Sequence, residues 1–413
     1  MGNLEEGALK ILVFKSLGSL LPDKSIPEFK VASVVQSTTL SNATVNIIEM
    51  EFQMTGEKEH NHDIQCVSWN FTENKWSGEG CRWAKTSSDT HAKCICNHLT
   101  SFSVLMSKYP ISLPFMDELT YIGLGVSICS LIICLIIEFL VWDAVVKSNI
   151  AHFRHTALVN ISLNLLIADC SFLGSSFPEK ISKTLCFVLV IGKHYCYLAM
   201  FFWMLCLSTM LLHKLVFIFH QMRKRVQMTI SFIIGYVCPA VIVAATYFYF
   251  NQDKKSGYYS EKTCWLNYDG FLKGSIHSFV LPVGIIIIIN LFAMVVVISK
   301  LLRPSVSEST KADDKEALKS ILKAVIFLTP IFGLTWALGF FTFMIDLTDG
   351  IQAKLVNYAF IILNAFQGLF ILLTGCFTEQ KVREALLKYV NSVYGSSSKT
   401  ETTSKGTSSI VKK

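Results

Sequence analysis

His98 and Thr100 stand two residues apart in the run Cys94-Ile95-Cys96-Asn97-His98-Leu99-Thr100, pairing an imidazole with a hydroxyl. A hydroxyl becomes a competent nucleophile when a neighbouring base takes its proton, and histidine titrates in the right range to do so near neutral pH. A lone His-x-Thr ordinarily belongs to a surface turn; the surroundings make this one different. Cys66, Cys81, Cys94 and Cys96 are even in number and closely spaced, and candidate glycosylation sequons begin at Asn42 and Asn70. Together they point to an oxidising, extracellular compartment and a disulfide framework, for which four cysteines allow three connectivities. A zinc site is the rival reading, but no second Cys or His pair follows at finger spacing, so no metal or cofactor is expected.

The residues after Thr100 carry two periodicities at once. In Thr100-Ser101-Phe102-Ser103-Val104-Leu105-Met106, the residues Phe102, Val104 and Met106 share a strand face, whereas Phe102, Leu105 and Met106 share a helical face. One segment can therefore bury itself as a strand or as a short helix. A linker follows from Ser107 to Met116, with Pro110 and Pro114, and spans at most about 35 Å when extended.

The elements that must position these residues fall into two parts. Residues 1–106 are mixed in polarity, with β-rich runs at Ile11–Phe14, Val31–Val35 and Val45–Phe52 between turn residues, which predicts all or part of an antiparallel sandwich. Beyond the linker (107–116) the composition changes. The chain is 52% hydrophobic and 16% charged, well below the roughly 25% charge of soluble domains, and its apolar residues concentrate between 117 and 377. Seven runs there, about Glu118–Trp142, Thr156–Phe177, Cys186–His213, Met228–Phe250, Gly274–Ser299, Ile321–Ile345 and Lys354–Cys376, are each long enough to cross a bilayer as a helix. With the N-terminal part outside, an odd number of spans places the C-terminus in the cytoplasm. The loops this puts inside hold more Lys and Arg, including Arg223-Lys224-Arg225, than the loops outside. The net charge of +7 thus reflects membrane topology, and nucleic acid is not an expected partner.

Past the seventh run, Val382, Leu386, Leu387 and Val390 recur at helical spacing opposite Lys381, Arg383 and Lys388, predicting a short amphipathic helix over 378–391 at the inner membrane surface. Residues 392–413 are rich in Ser, Thr and Lys and predict a disordered cytoplasmic tail. At the other end, Met1-Gly2-Asn3-Leu4-Glu5-Glu6 offers no signal peptide, and Glu6 stands where a myristoylation motif needs Ser or Thr, so a longer ectodomain is expected to precede it.

Cys66, Trp69, Trp76, Cys81, Trp83, Cys94, Cys96 and His98-Leu99-Thr100 together resemble the proteolysis site of adhesion G-protein-coupled receptors. That site closes the autoproteolysis-inducing (GAIN) domain, of which residues 1–106 would be the C-terminal part. The resemblance implies pairing of Cys66 with Cys94 and Cys81 with Cys96. It also implies attack of Thr100 on the carbonyl of Leu99 with His98 as base, giving an ester that water hydrolyses. The new N-terminus, Thr100 to Met106, would then act as a tethered agonist of the bundle, while the released N-terminal fragment stays bound non-covalently.

The apolar part is similar to the same family in Cys186 and in Cys264-Trp265-Leu266-Asn267, in Gly235-Tyr236-Val237-Cys238-Pro239, in Leu328 to Trp336 and in Asn364-Ala365-Phe366-Gln367-Gly368. The implied fold is a membrane all-α seven-transmembrane bundle with a partial β-sandwich before it. Cys186 and Cys264 would be disulfide-bonded, and Trp265 would lie in the agonist pocket. Pro330 and Gly333 predict a bend in the sixth helix, because one removes a backbone hydrogen bond and the other weakens the helix. By resemblance Trp336 would be a switch residue facing Phe102, and Gln367-Gly368 a second flexible point. The intramembrane polar residues Asn160, Asn164, Asp169, Asn290, Asn364 and Gln367 are expected to face the bundle interior. The sequence departs from the family where His-x-Asn and a glutamate after Trp-Met-Leu are common: Leu158-Val159-Asn160 and Cys206-Leu207 stand there. It most resembles the F subfamily. The expected partners are a heterotrimeric G protein, the plasma-membrane bilayer and an extracellular or matrix ligand. An uncleaved adhesion or scaffolding protein is the alternative.

Overall fold

A computed structural model describes residues 9–17, 29–40, 47–56, 58, 61–84, 90–107, 113–216, 223–252, 257–268, 274–302, 333–344 and 350–400. They form two compact units, Met1–Pro114 with Thr342–Val356, and Phe115–Phe341 with Asn357–Lys413.

Among the described residues of the first unit, nine strands make two antiparallel sheets. The larger contains β1 (Leu9–Phe14), β2 (Phe29–Val31), β3 (Val35–Leu40), β5 (Ile64–Asn70), β6 (Lys75–Ser77) and β9 (Ser101–Ser107), in the order β1-β3-β9-β5-β6, with β2 also paired to β9. The smaller runs β4 (Ile48–Gln53), β8 (His91–Cys96) and β7 (Cys81–Ala84). The run Val31–Val35, expected as a single strand, is instead the crossing from β2 to β3. The reason is Ser33, whose Oγ accepts the Val104 N–H at 2.9 Å and so takes the place of a ladder bond.

The alternation of β9 decides what the sheets bury. Phe102, Val104 and Met106 pack with Met50, Phe52, Cys66 and Cys94 between the sheets, while Leu105 packs on the opposite face with Val35, Val67, Trp69 and Trp76. Each such apolar side chain contributes roughly 1.5–3 kcal/mol when fully buried.

The second unit is helical. Five helical segments among the described residues are long and apolar enough to cross a membrane: α1 (Met116–Val145), α2 (Asn149–Gly174), α3 within Lys183–His213, the segment Lys224–Gln252, and α6 within His277–Ser299. A sixth is added if α8 (Ile351–Ala365) and the stretch Gln367–Phe377, bent by 57°, count as one span. The fourth span comprises α4 (Lys224–Phe232), a π-helical turn (Ile233–Val237) and α5 (Cys238–Gln252). Helix α3, Lys183–Val216 in full, is the central one: Leu198, Ala199, Met200, Phe201, Trp203 and Met204 are all fully buried. A helix apolar on every side must be surrounded by others. Gly235 permits the fourth span to approach it, since a Cβ there would lie 2.7 Å from the Trp203 ring.

The run Ile321–Ile345 falls largely outside the described residues, which resume at Gly333; α7 (Ala337–Met344) follows a short 3-10 turn over Leu334–Trp336. After Gln367–Ile371 (α9), the final helix α10 spans Gln380–Thr400. It is longer than the expected 378–391 and takes the beginning of the expected tail with it. No proline follows Val390 to stop the register.

Candidate functional site

The bond between Leu99 and Thr100 lies in the four-residue turn from β8, in the small sheet, to β9, in the large one. Both arms of the turn are held. On the β8 side Cys81 is bonded to its register partner Cys96, and Cys66 on β5 is bonded to Cys94, tying the two sheets together. On the β9 side the Thr38 N–H donates to the Thr100 carbonyl at 3.0 Å, and Gln36 pairs with Phe102. His98 is half-buried; its Nδ1 meets Asn97 Oδ1 at 2.9 Å, and its ring lies 5.6 Å from that of Phe102. The Thr100 hydroxyl donates to the Ser101 carbonyl at 3.4 Å.

Downstream of the turn, the segment Ser101 to Met106 forms β9 itself. Phe102 is 1% exposed, Ser103 and Val104 fully buried, Leu105 2% and Met106 4%. Pairing with β2, β3 and β5 makes β9 an interior strand of its sheet.

In the helical unit some of the residues singled out by sequence lie around Trp336. Its Nε1 donates to Gln367 Oε1 at 2.9 Å, and Tyr197, Phe201, Phe279 and Phe360 surround its ring at centroid distances of 5.4–6.2 Å. The neighbouring Thr335 hydroxyl donates to Asn364 Oδ1 at 2.8 Å. Gly333 sits in the left-handed region at φ 67°, where a Cβ would meet the Phe201 ring at 2.8 Å and Met204 Sδ at 2.9 Å. Gly368 lies immediately past the 57° bend, its N–H donating to Ser127 Oγ at 3.1 Å. Ser127 donates in turn to Asp169 at 2.8 Å. Trp265 lies 5.8 Å from Phe279, and Cys264 before it is bonded to Cys186. Asn290 accepts from Ser208 at 2.5 Å, and Asn160 accepts from the Tyr236 hydroxyl, which Asn164 also contacts at 3.4 Å. Pro330 and Asn42 lie outside the described residues; Asn70 accepts the Thr72 N–H at 2.9 Å.

Several partnerships were not readable from sequence. Asn97 and Gly80 meet His98. In the helical unit Glu138 of α1 and His155 of α2 form a fully buried pair at 2.8 Å. Next to it, Arg154 binds Glu379, which precedes α10, at 2.9 Å, and the guanidinium holds that carboxyl below the usual glutamate range. Lys193 is buried between the Ser175 hydroxyl and the Cys264 carbonyl, both at 2.7 Å, with the Trp265 ring 5.2 Å away. The Arg154–Glu379 and Lys193–Cys264 contacts join residues far apart in the chain, whereas Glu138 and His155 lie on consecutive helices. For Glu138 and Lys193 the signal available in sequence was a charged residue inside an apolar run.

Two families match along the chain: GAIN subdomain B over residues 3–110, and 7 transmembrane receptor (Secretin family) over residues 115–371. A disulfide-clamped sandwich joined to a bundle of apolar helices is thus the architecture of a secretin-type receptor carrying a GAIN subdomain. The chain belongs to the adhesion G-protein-coupled receptors of the F subfamily within that family. It is 42% identical to adhesion G-protein coupled receptor F3 of Mus musculus over 334 residues, 79% of this chain and 32% of the relative. It is 38% identical to adhesion G protein-coupled receptor F5 of Rattus norvegicus over 429 residues, 96% of this chain and 31% of the relative. With receptor F4 of Homo sapiens it shares 35% over 403 residues, 96% and 56% respectively. The chain spans about a third of the length of the F3 and F5 relatives.

Proposed function

We propose that this chain is a seven-helix plasma-membrane receptor that cuts itself between Leu99 and Thr100 and is switched on by the strand so released. The N-terminal unit faces outside and the C-terminus inside. The observation that carries the reading is the position of the scissile bond. It lies in a short turn clamped by two disulfides at one arm, with the base His98 beside it and the buried strand β9 at the other arm.

In the cleavage, His98 Nε2 takes the Thr100 hydroxyl proton as Oγ attacks the Leu99 carbonyl carbon. The tetrahedral centre collapses, the Leu99–Thr100 C–N bond breaks, and the imidazolium returns the proton to the leaving amine. Water then hydrolyses the ester, leaving a Leu99 carboxylate and a free Thr100 hydroxyl and amine. The pairing of β9 with β2, β3 and β5 holds the two fragments together without a covalent bond. When an extracellular or matrix ligand pulls that strand out, Phe102, Leu105 and Met106 become available to fold as a helix toward Trp336, and the bundle opens to a heterotrimeric G protein. The linker keeps the agonist at an effective concentration on the order of millimolar, so weak intrinsic affinity suffices.

An immunoblot of the chain tagged at its C-terminus tests the chemistry: wild type gives a fragment beginning at Thr100, and Thr100→Ala gives none. A peptide of sequence Thr100 to Met106 tests the agonism, and activates the uncleaved Thr100→Ala receptor. Failure to activate any G protein, with surface expression confirmed, would falsify the agonist reading. It would favour instead an uncleaved adhesion or scaffolding protein, for which the deep burial of β9 is the supporting observation.

A further inference from the structure

Antiparallel register places Gly80 and Asn97 opposite each other. Cys81 is the register partner of Cys96 and Arg82 of Ile95, so the next rung outward joins the residue before the first cysteine to the residue after the second. The Asn97 N–H makes that rung, donating to the Gly80 carbonyl at 3.0 Å. Gly80 adopts φ 73°, a left-handed conformation that suits glycine. A Cβ there would lie 2.3 Å from Asn97 Oδ1 and 2.8 Å from His98 Nδ1. The backbone of the β6–β7 turn is therefore pressed against the very side chains that precede the scissile bond.

We propose that Asn97 and Gly80 are positioning residues for the self-cleavage, with the Asn97 carboxamide fixing the tautomer of His98 and Gly80 leaving room for the pair. This rests on the self-cleavage reading above. An amide oxygen can only accept, so its 2.9 Å contact places the imidazole proton on Nδ1. The lone pair of the neutral ring is then on Nε2, the nitrogen that must take the Thr100 proton. The Phe102 ring, 5.6 Å away and tilted by 44°, flanks the imidazole. Asn97 is itself exposed, so it is not held by burial, and its carboxamide is turned onto the ring.

Cleavage is followed over time in the tagged full chain. Asn97→Leu, of similar size but without an acceptor, slows cleavage by about tenfold or more, a share of the roughly 10²–10⁴-fold that general-base catalysis supplies. Asn97→Asp restores most of the rate because a carboxylate also accepts from Nδ1–H. Its rate–pH midpoint moves upward, since a carboxylate favours the imidazolium, which cannot accept a proton. Glu79, in the turn before β7, and Arg82, on β7, are the charged residues flanking Gly80-Cys81 and are common to all variants. Gly80→Ala loses cleavage while Cys81–Cys96 still forms, as checked by non-reducing peptide mapping. Wild-type cleavage with an equally fast Asn97→Leu overturns the positioning role alone. So does equal loss in Asn97→Leu and Asn97→Asp with both disulfides formed, since that is a structural effect. An uncleaved wild-type chain overturns the self-cleavage reading, and the positioning role with it.

Discussion

The turn before Thr100 and the neighbourhood of Trp336 are built on one plan and finished differently. In each, a glycine in the left-handed region presses backbone against neighbouring side chains: Gly80 against Asn97 and His98, Gly333 against Phe201 and Met204. Around the first the frame is covalent, two disulfides and a ladder. Around the second it is one hydrogen bond to Gln367 and a ring of aromatic edges, beside a helix bent by 57°. On the function proposed above, the contrast suits a group held for one chemical event against a group that moves and returns, because hydrogen bonds and edge contacts each contribute about 1 kcal/mol and can be exchanged.

The comparison breaks most decisively at Cys66. Cys66→Ser removes the bond between the two sheets and costs the first unit about 2–5 kcal/mol. Limited proteolysis should show that unit opening and β9 becoming accessible, with the self-cleavage product lost. The helical unit should keep its own melting transition; a joint collapse would mean that the two frames are not independent.

Gly333→Ala makes the reverse cut. It combines left-handed strain with overlap on Phe201 and Met204, together about 1–3 kcal/mol. The melting temperature of the solubilised helical unit falls, while cleavage at Leu99–Thr100 proceeds at the wild-type rate. Trp336→Phe is milder, deleting one hydrogen bond of about 1 kcal/mol and keeping an aromatic ring. Stability changes little, and the response to the Thr100 to Met106 peptide shifts, which a dose–response curve reads directly.

The sequence made the covalent region more legible than the movable one, and the reason is physical. Cysteines, a His-x-Thr and alternating Phe102, Val104 and Met106 are local signals, and runs of twenty apolar residues announce spans without reference to one another. Pairings between elements are not local. Gly80 is no sequence neighbour of Asn97, and only register brings them together; Glu138 and His155 lie on separate helices, and no local signal pairs them. The same limit explains Val31–Val35, where a run of β-formers hides a crossing made by the Ser33 hydroxyl, and α10, whose end at Thr400 follows from no local stop signal.

The smallest expected effect sits at Glu379. Arg154 holds its carboxyl below the ordinary glutamate value of about 4.3. A depressed folded pKa means that the pair's contribution is present above the unfolded value and is lost as pH falls through the lower, folded one. Both side chains are partly exposed, at 29% and 21%, so solvent screening keeps the contribution within about 0–1 kcal/mol. Melting of the helical unit at pH 7 and near pH 4 should therefore show a slightly steeper acid loss in wild type than in Glu379→Gln. Identical slopes would mean that α10 is held to the bundle by Val382, which is buried, and not by the ion pair.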